Sequence, residues 1–143
     1  MLRCELKRVV TEQEWDVYHS IRERVLWTTR GDVGAYTRSH PDERAPGHYP
    51  LLLLRDGDPV GVVRVDVDPP DAWFRRVAVR EDVQRQGCGR RLVELAQEFA
   101  VSRGCTRLCS NVAPDAVGFY RKLGFHHRGV ESEDASIPME KHL

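Results

Sequence analysis

The chain has 143 residues, with 22 Lys and Arg against 22 Asp and Glu, and 41% of its residues apolar. That length fits one compact domain with a real core, and zero formal charge argues against a general binder of nucleic acid or of anionic membrane. The opening MLRCELKRVV has no apolar signal region, and no apolar run is long enough to span a bilayer, so a soluble cytoplasmic protein is expected. Cys4, Cys88, Cys105 and Cys109 form no C-x-x-C pair, and the six histidines complete no zinc-ligand spacing, so free thiols and no metal are expected.

In chain order, Cys4 to Val10 reads as a first strand. Thr11 with Glu14 forms a capping box, and Trp15, Tyr18, Ile21, Arg22 and Val25 follow at helical spacing, which predicts a helix from about Glu12 to Leu26. From Trp27 to Tyr49 the pattern dissolves into a long loop, with Tyr36, His40, His48 and Tyr49 as its candidate recognition residues. Pro50–Leu54, Val60–Val67 and Ala72–Val79 then read as three antiparallel strands, the first pair joined by an Asp56-Gly57 turn. A helix from about Gly87 to Arg103 carries the stripe Leu92, Leu95, Ala96, Phe99 and Ala100, and Gly104 stops it. Thr106–Val112 follows a crossover helix and should lie parallel to the strand that ends at Val79. Pro114 opens a further helix, with Ala116, Phe119, Tyr120 and Leu123 as its buried face. Phe125–Val130 and Ile137–Lys141 close the chain as strands, the last a free edge open to a partner, which leaves monomer or homodimer open. The sum is one α+β domain over residues 1–143, a mixed sheet with helices on both faces.

The segment Arg76 to Ala96 concentrates the chemistry. A β-branched run ends at Val79, a turn follows with Gly87 and Gly89, and a helix starts at once. Strand, glycine turn and helix start together make an anion-binding arrangement, because the first-turn N–H groups have no partner within the helix. A P-loop is excluded, since Arg90-Arg91 stand where Lys and Ser or Thr are required, and a dinucleotide fold lacks its third glycine.

The remaining pattern, Gln84-Arg85-Gln86-Gly87-Cys88-Gly89 after Val77-Ala78-Val79, resembles the acetyl-CoA signature [RQ]-x-x-G-x-[GA] and its V-x-V strand in the GNAT superfamily of N-acetyltransferases. A second segment, Ala116-Val117-Gly118-Phe119-Tyr120-Arg121-Lys122-Leu123-Gly124-Phe125, is similar to that family's A-x-x-[FL]-Y-x-K-x-G-F. The resemblance implies a GNAT-like fold with a mixed, mostly antiparallel sheet of six or seven strands. It implies acetyl-CoA as cosubstrate, its pyrophosphate over the N–H groups of Arg85 to Arg90, and a backbone N–H of Val77, Ala78 or Val79 on the acetyl carbonyl. It also implies that this strand and the Thr106–Val112 strand splay apart around the pantetheine arm, and that Tyr120 protonates the leaving thiolate. The family often has an Asn where this chain has Ala113; Asn111, two residues earlier and on the same side of an extended chain, is the candidate replacement. Cys88 occupies a variable motif position and is taken as a small filler.

The resulting expectation is transfer of an acetyl group to a primary amine, a small molecule or a peptide, in a ternary complex without nucleic acid or membrane. The alternatives are a non-catalytic acyl-CoA-binding module and a phosphate-binding nucleotide enzyme. No general base stands out among Asp66, Asp68, His40, Glu43, His48, Glu131 and Glu133, and a water chain could take the amine's proton instead.

Overall fold

The computed structural model describes residues 3–25, 38, 41–130, 132 and 135–143. One seven-stranded sheet organises them, in the order β1-β2-β3-β4-β5-β7-β6. Its strands are β1 (Cys4–Arg8), β2 (His48–Arg55), β3 (Asp58–Asp68), β4 (Asp71–Val79), β5 (Arg107–Val112), β6 (His126–His127) and β7 (Ile137–His142). All neighbours are antiparallel except β4 and β5, which the crossover helix α2 (Cys88–Ser102) joins in parallel. None of the described helices is long and apolar enough to cross a membrane.

The run of four leucines in β2 explains why both faces of the sheet are covered. Successive side chains point to opposite faces. Leu51 and Leu53 join Val63, Val65, Phe74, Leu92, Ala96 and Leu108 in the cluster under α2 and α3 (Val117–Lys122). Leu52 joins Val62, Ala78, Tyr18 and Ile21 under α1 (Glu12–Arg22) on the other face. The capping box that starts α1 is formed as expected: Glu14 N–H donates to Thr11 Oγ1 at 3.1 Å, and Thr11 N–H to Glu14 Oε1 at 2.9 Å.

One irregularity shapes the middle of the sheet. Val62 pairs with Ala78 but Arg64 pairs with Arg75, so β4 carries one extra residue against β3. Arg76, at φ +57°, sits in that bulge in the left-handed region. On its other edge β4 pairs with β5 only from Asp71↔Arg107 to Phe74↔Ser110. Beyond that rung both strands continue, β4 to Val79 and β5 to Val112, without a shared ladder.

Several expectations need correction. The expected strand Phe125–Val130 shrinks to two residues, His126–His127, because Gly129 turns the chain at φ +80°. The segment expected as a free edge, Ile137–Lys141, is an interior strand: β7 lies between β5 and β6, and the edges are β1 and β6. The first strand ends at Arg8, and α1 ends at Arg22 with a wider turn through Val25; Leu26 lies outside the described residues. Pro114 opens a short 3-10 turn, Pro114–Ala116, and the α-helix proper begins at Val117.

Candidate active site

The turn between β4 and α2 is braced from beneath. Gln84 Nε2 donates to Val79 O at 2.9 Å, and Gln86 Oε1 accepts from Arg55 Nη1 at 2.8 Å. Arg80 pairs with Asp58 and Asp82 at the strand end, and Val83 is buried. With both glutamine side chains held by protein partners, the backbone of the turn is what remains for a ligand. Arg85 at φ +66° and Gly87 at φ +84° bend it. Helix α2 has no side-chain cap, and its first bond runs from Arg91 N–H to Gly87 O at 3.1 Å. The N–H groups of Cys88, Gly89 and Arg90 precede that bond, so they are orphan donors at the positive end of a helix. A Cβ at Gly87 would meet nothing within 4 Å, so the turn is open at Gly87. Cys88 is buried, its Sγ 3.6 Å from Arg55 Nη1, which agrees with a filler role.

A second feature lies where β4 and β5 stop pairing. The Ser110 hydroxyl donates to Phe74 O at 3.2 Å, tying the two strands at their last shared rung. Tyr120 on α3 lies by the same place, where the Ser110 hydroxyl acts on its phenol. The Tyr120 ring is 6% exposed and stands edge-on to Phe119 and Phe125, each at 5.2 Å between centroids. Burial pushes the phenol up to about 12, partly offset by Ser110, so it is neutral at physiological pH and able to donate. Phe119 departs from expectation. It is 37% exposed and lies over the cradle, its Cζ 3.4 Å from the point where a Cβ on Gly89 would stand. The segment 116–125 thereby touches the 84–89 turn directly.

Val77 and Val79 line the α2 side of β4, and Ala78 the α1 side. Arg90 is exposed at the start of α2. Asn111 is exposed too, but strand alternation turns it to the face opposite Ser110, so it is not brought together with Tyr120.

Residues 11–125 match the model of the acetyltransferase (GNAT) family. The chain belongs to that family. The uncharacterized protein YyaT of Bacillus subtilis (strain 168) is 26% identical to this GNAT chain over 133 residues, which cover 93% of this chain and 90% of YyaT. An acyl-CoA N-acyltransferase from Pseudomonas aeruginosa superposes with a TM-score of 0.81 at 20% identity over 99% of each chain. The PaiA N-acetyltransferase of Thermoplasma acidophilum, solved in complex with coenzyme A, superposes with a TM-score of 0.79 at 13% identity, again over 99% of each chain. The two structures share the fold, and the family makes this chain an N-acetyltransferase.

Within this GNAT fold the candidate bases are largely committed elsewhere. Glu43 is buried in a network that sequence reasoning missed. It pairs with Arg22, accepts from Tyr18 Oη at 3.1 Å, and lies 3.6 Å from Arg64 Nη1. Arg64 also grips Asp66 through two bonds of 2.7 and 3.0 Å, and His48 Nε2 lies 3.6 Å from Asp66. Asp68 is exposed at the end of β3. Burial pushes Tyr18 up and His19 down, so both stay neutral in the network. The one advance signal was Arg22 on the apolar stripe of α1; nothing local marked Glu43. Tyr49 is removed from the recognition set. It lies in β2 against Phe99, with Arg8 and Arg103 over its ring at 4.8 and 4.7 Å, near the far end of α2. Tyr36, His40, Glu131 and Glu133 lie outside the described residues.

Proposed function

We propose that this GNAT protein transfers the acetyl group of acetyl-CoA directly to a primary amine bound in the same ternary complex. The observation that carries it is the fork: the β4–β5 ladder ends at Phe74 and Ser110, and the neutral Tyr120 phenol stands at that end. The open backbone at Arg85 to Arg90 suits a pyrophosphate, since donors and helix dipole both favour an anion. The unladdered edge of β4 at Val77, Ala78 and Val79 offers N–H and C=O groups to the amides of a pantetheine arm, in the manner of an added strand. A strand N–H there would polarise the thioester carbonyl and hold the oxyanion as the amine attacks. Collapse of the tetrahedral adduct breaks the C–S bond. Tyr120 gives its proton to the sulfur, and the proton lost by the amine restores the phenol, so that the amine's proton ends on the thiol. Asn111, at the end of β5 past the last rung, is the candidate contact for the coenzyme in place of Ala113.

Thiol release from acetyl-CoA across a panel of small-molecule and peptide amines tests this. Release that depends on one amine class supports transfer. Thermal stabilisation by coenzyme A with no release for any amine would instead make the protein a binding module, and stabilisation by ATP but not by coenzyme A would overturn the cradle assignment.

A further inference from the structure

Linear spacing of the histidines shows no metal motif, but strand pairing assembles one. β6 and β7 are antiparallel with His126 opposite Glu140, and His142 lies two residues beyond Glu140 on the same face. One donor atom from each of His126, Glu140 and His142 lies within 4.8 Å of the others. The two imidazoles are stacked, 5.9 Å between centroids and 18° between planes, and His142 Nε2 is 3.5 Å from Glu140 Oε2.

We propose that His126, Glu140 and His142 form a binding site for a divalent transition-metal ion of the zinc class. Tetrahedral coordination at about 2.1 Å places ligand atoms roughly 3.4 Å apart, so the trio needs to close by at most ~1.4 Å. Both histidines are exposed, so rotation of their side chains can supply that closure. Outer contacts favour the same assignment. His126 Nδ1 lies 3.2 Å from the carbonyl oxygen of His127; a proton on Nδ1 then leaves the Nε2 lone pair for a metal. Glu140 is 3.4 Å from Arg107 Nη1, and Arg107 is itself held by Asp71 at 2.8 and 2.7 Å. Asp71 offsets the positive charge of Arg107, and the guanidinium orients the Glu140 carboxylate as outer partners of metal ligands commonly do. Two imidazoles with one carboxylate suit Zn²⁺, Ni²⁺ or Cu²⁺, and not Mg²⁺ or Ca²⁺, which take oxygen donors. Three protein ligands leave a fourth position for water. Glu140 and His142 pair with Cys109 and Arg107 of β5, on the face opposite Ser110, and the ion would clamp the two-residue strand β6 onto β7.

Calorimetric titration of chelator-treated full-length protein with Zn²⁺ tests the site. One Zn²⁺ per chain is expected, with a rise in Tm on zinc addition. Both effects should vanish in His126→Ala/His142→Ala. Glu140→Gln, which keeps the side-chain volume, should weaken binding by more than the roughly 10- to 100-fold that loss of an outer partner costs. His127→Ala, beside the site but not in it, should bind as wild type. No saturable zinc binding by wild type, equal binding by Glu140→Gln, loss of binding in His127→Ala, or equal saturation by Mg²⁺ would each overturn the assignment.

Discussion

Replacing Tyr120 by Phe removes one oxygen from the fork and leaves its surroundings in place. The ring keeps its edge-on contacts with Phe119 and Phe125 at 5.2 Å, and the Ser110 hydroxyl keeps its bond to Phe74 O at 3.2 Å. The phenol oxygen contributes at most one polar contact, with Ser110, so the loss to folding should be about 1 kcal/mol or less, no more than roughly 4 °C in Tm for a domain of this size. The loss to turnover is of another order. A positioned general acid contributes ~10²- to 10⁴-fold, so kcat should fall by about 100-fold or more, equivalent to about 3 kcal/mol of barrier. KM for acetyl-CoA should change little, since the cradle and the edge of β4 are untouched. The assay is thiol release at saturating acetyl-CoA with the best amine of the panel, from pH 6 to 9.

The pH dependence sharpens this prediction. The free phenol titrates near 10 and Tyr120 at about 12, so the acid is protonated throughout the assay range. The Phe variant should lose a constant factor in kcat at every pH tested. Linkage gives a second check. A folded-state value above the unfolded one adds stability that is fully present below about pH 10 and is lost as pH rises towards 12. The Phe variant lacks that alkaline component, while Tyr18, also pushed up by burial, supplies its own in both proteins. Unchanged kcat across the range, or a loss confined to KM, would refute the proton-donor role.

Gly87→Val should leave a folded protein, because a Cβ there meets no neighbour, though at φ +84° it costs about 1–2 kcal/mol of strain. The valine would fill open space at the turn, so calorimetric affinity for coenzyme A should drop by at least about tenfold, or ~1.4 kcal/mol; an unaltered affinity removes the cradle. Glu43→Ala leaves buried Arg22 and Arg64 without their shared carboxylate, and urea unfolding should report a loss of about 3–5 kcal/mol. A loss below ~1 kcal/mol would mean the network behaves as a surface pair. The Lys7 side chain and the backbone at Thr11 and Val10 hold the Glu14 carboxyl well below the usual range, at about 2. Its contribution is present above the ordinary carboxylate range and fades as pH falls towards 2. Lys7 is half-exposed and water screens the pair, so Glu14→Ala should cost about 1 kcal/mol at neutral pH and progressively less in acid melts. Equal destabilisation at pH 7 and pH 2 would contradict that cause.

What the sequence made legible was local. The Thr11–Glu14 cap, the alternating leucines of β2, the Gln84–Gly89 turn and the Tyr120 segment each carry their signal within a few neighbouring residues, and each is formed. Contacts between distant segments were not legible. Glu43 lies in a polar stretch, and only docking against α1 reveals it as buried. Tyr49 looked like a loop aromatic until pairing with β3 placed it beside Phe99. His126, Glu140 and His142 meet only because β7 inserts between β5 and β6, and that order also turns the expected free edge into an interior strand. Phe119 follows the helical stripe by spacing, yet the helix is too short to bury it and the ring turns to Gly89 instead.

The bulge in β4 shows why such places are hard to foresee. Arg76 takes φ +57° with no glycine or asparagine to announce it, at a cost of about 1–2 kcal/mol for a residue with a Cβ. Its neighbours hold it there. Val77 is packed towards α2 and Ala78 towards α1, so removing the extra residue would turn one of them away from its core. With the bulge kept, β4 leaves the β5 ladder after Phe74, which frees the strand edge that the proposed transfer uses. Local propensity argues against this backbone. Two cores, one on each face of the sheet, impose it, and the fork exists because they prevail.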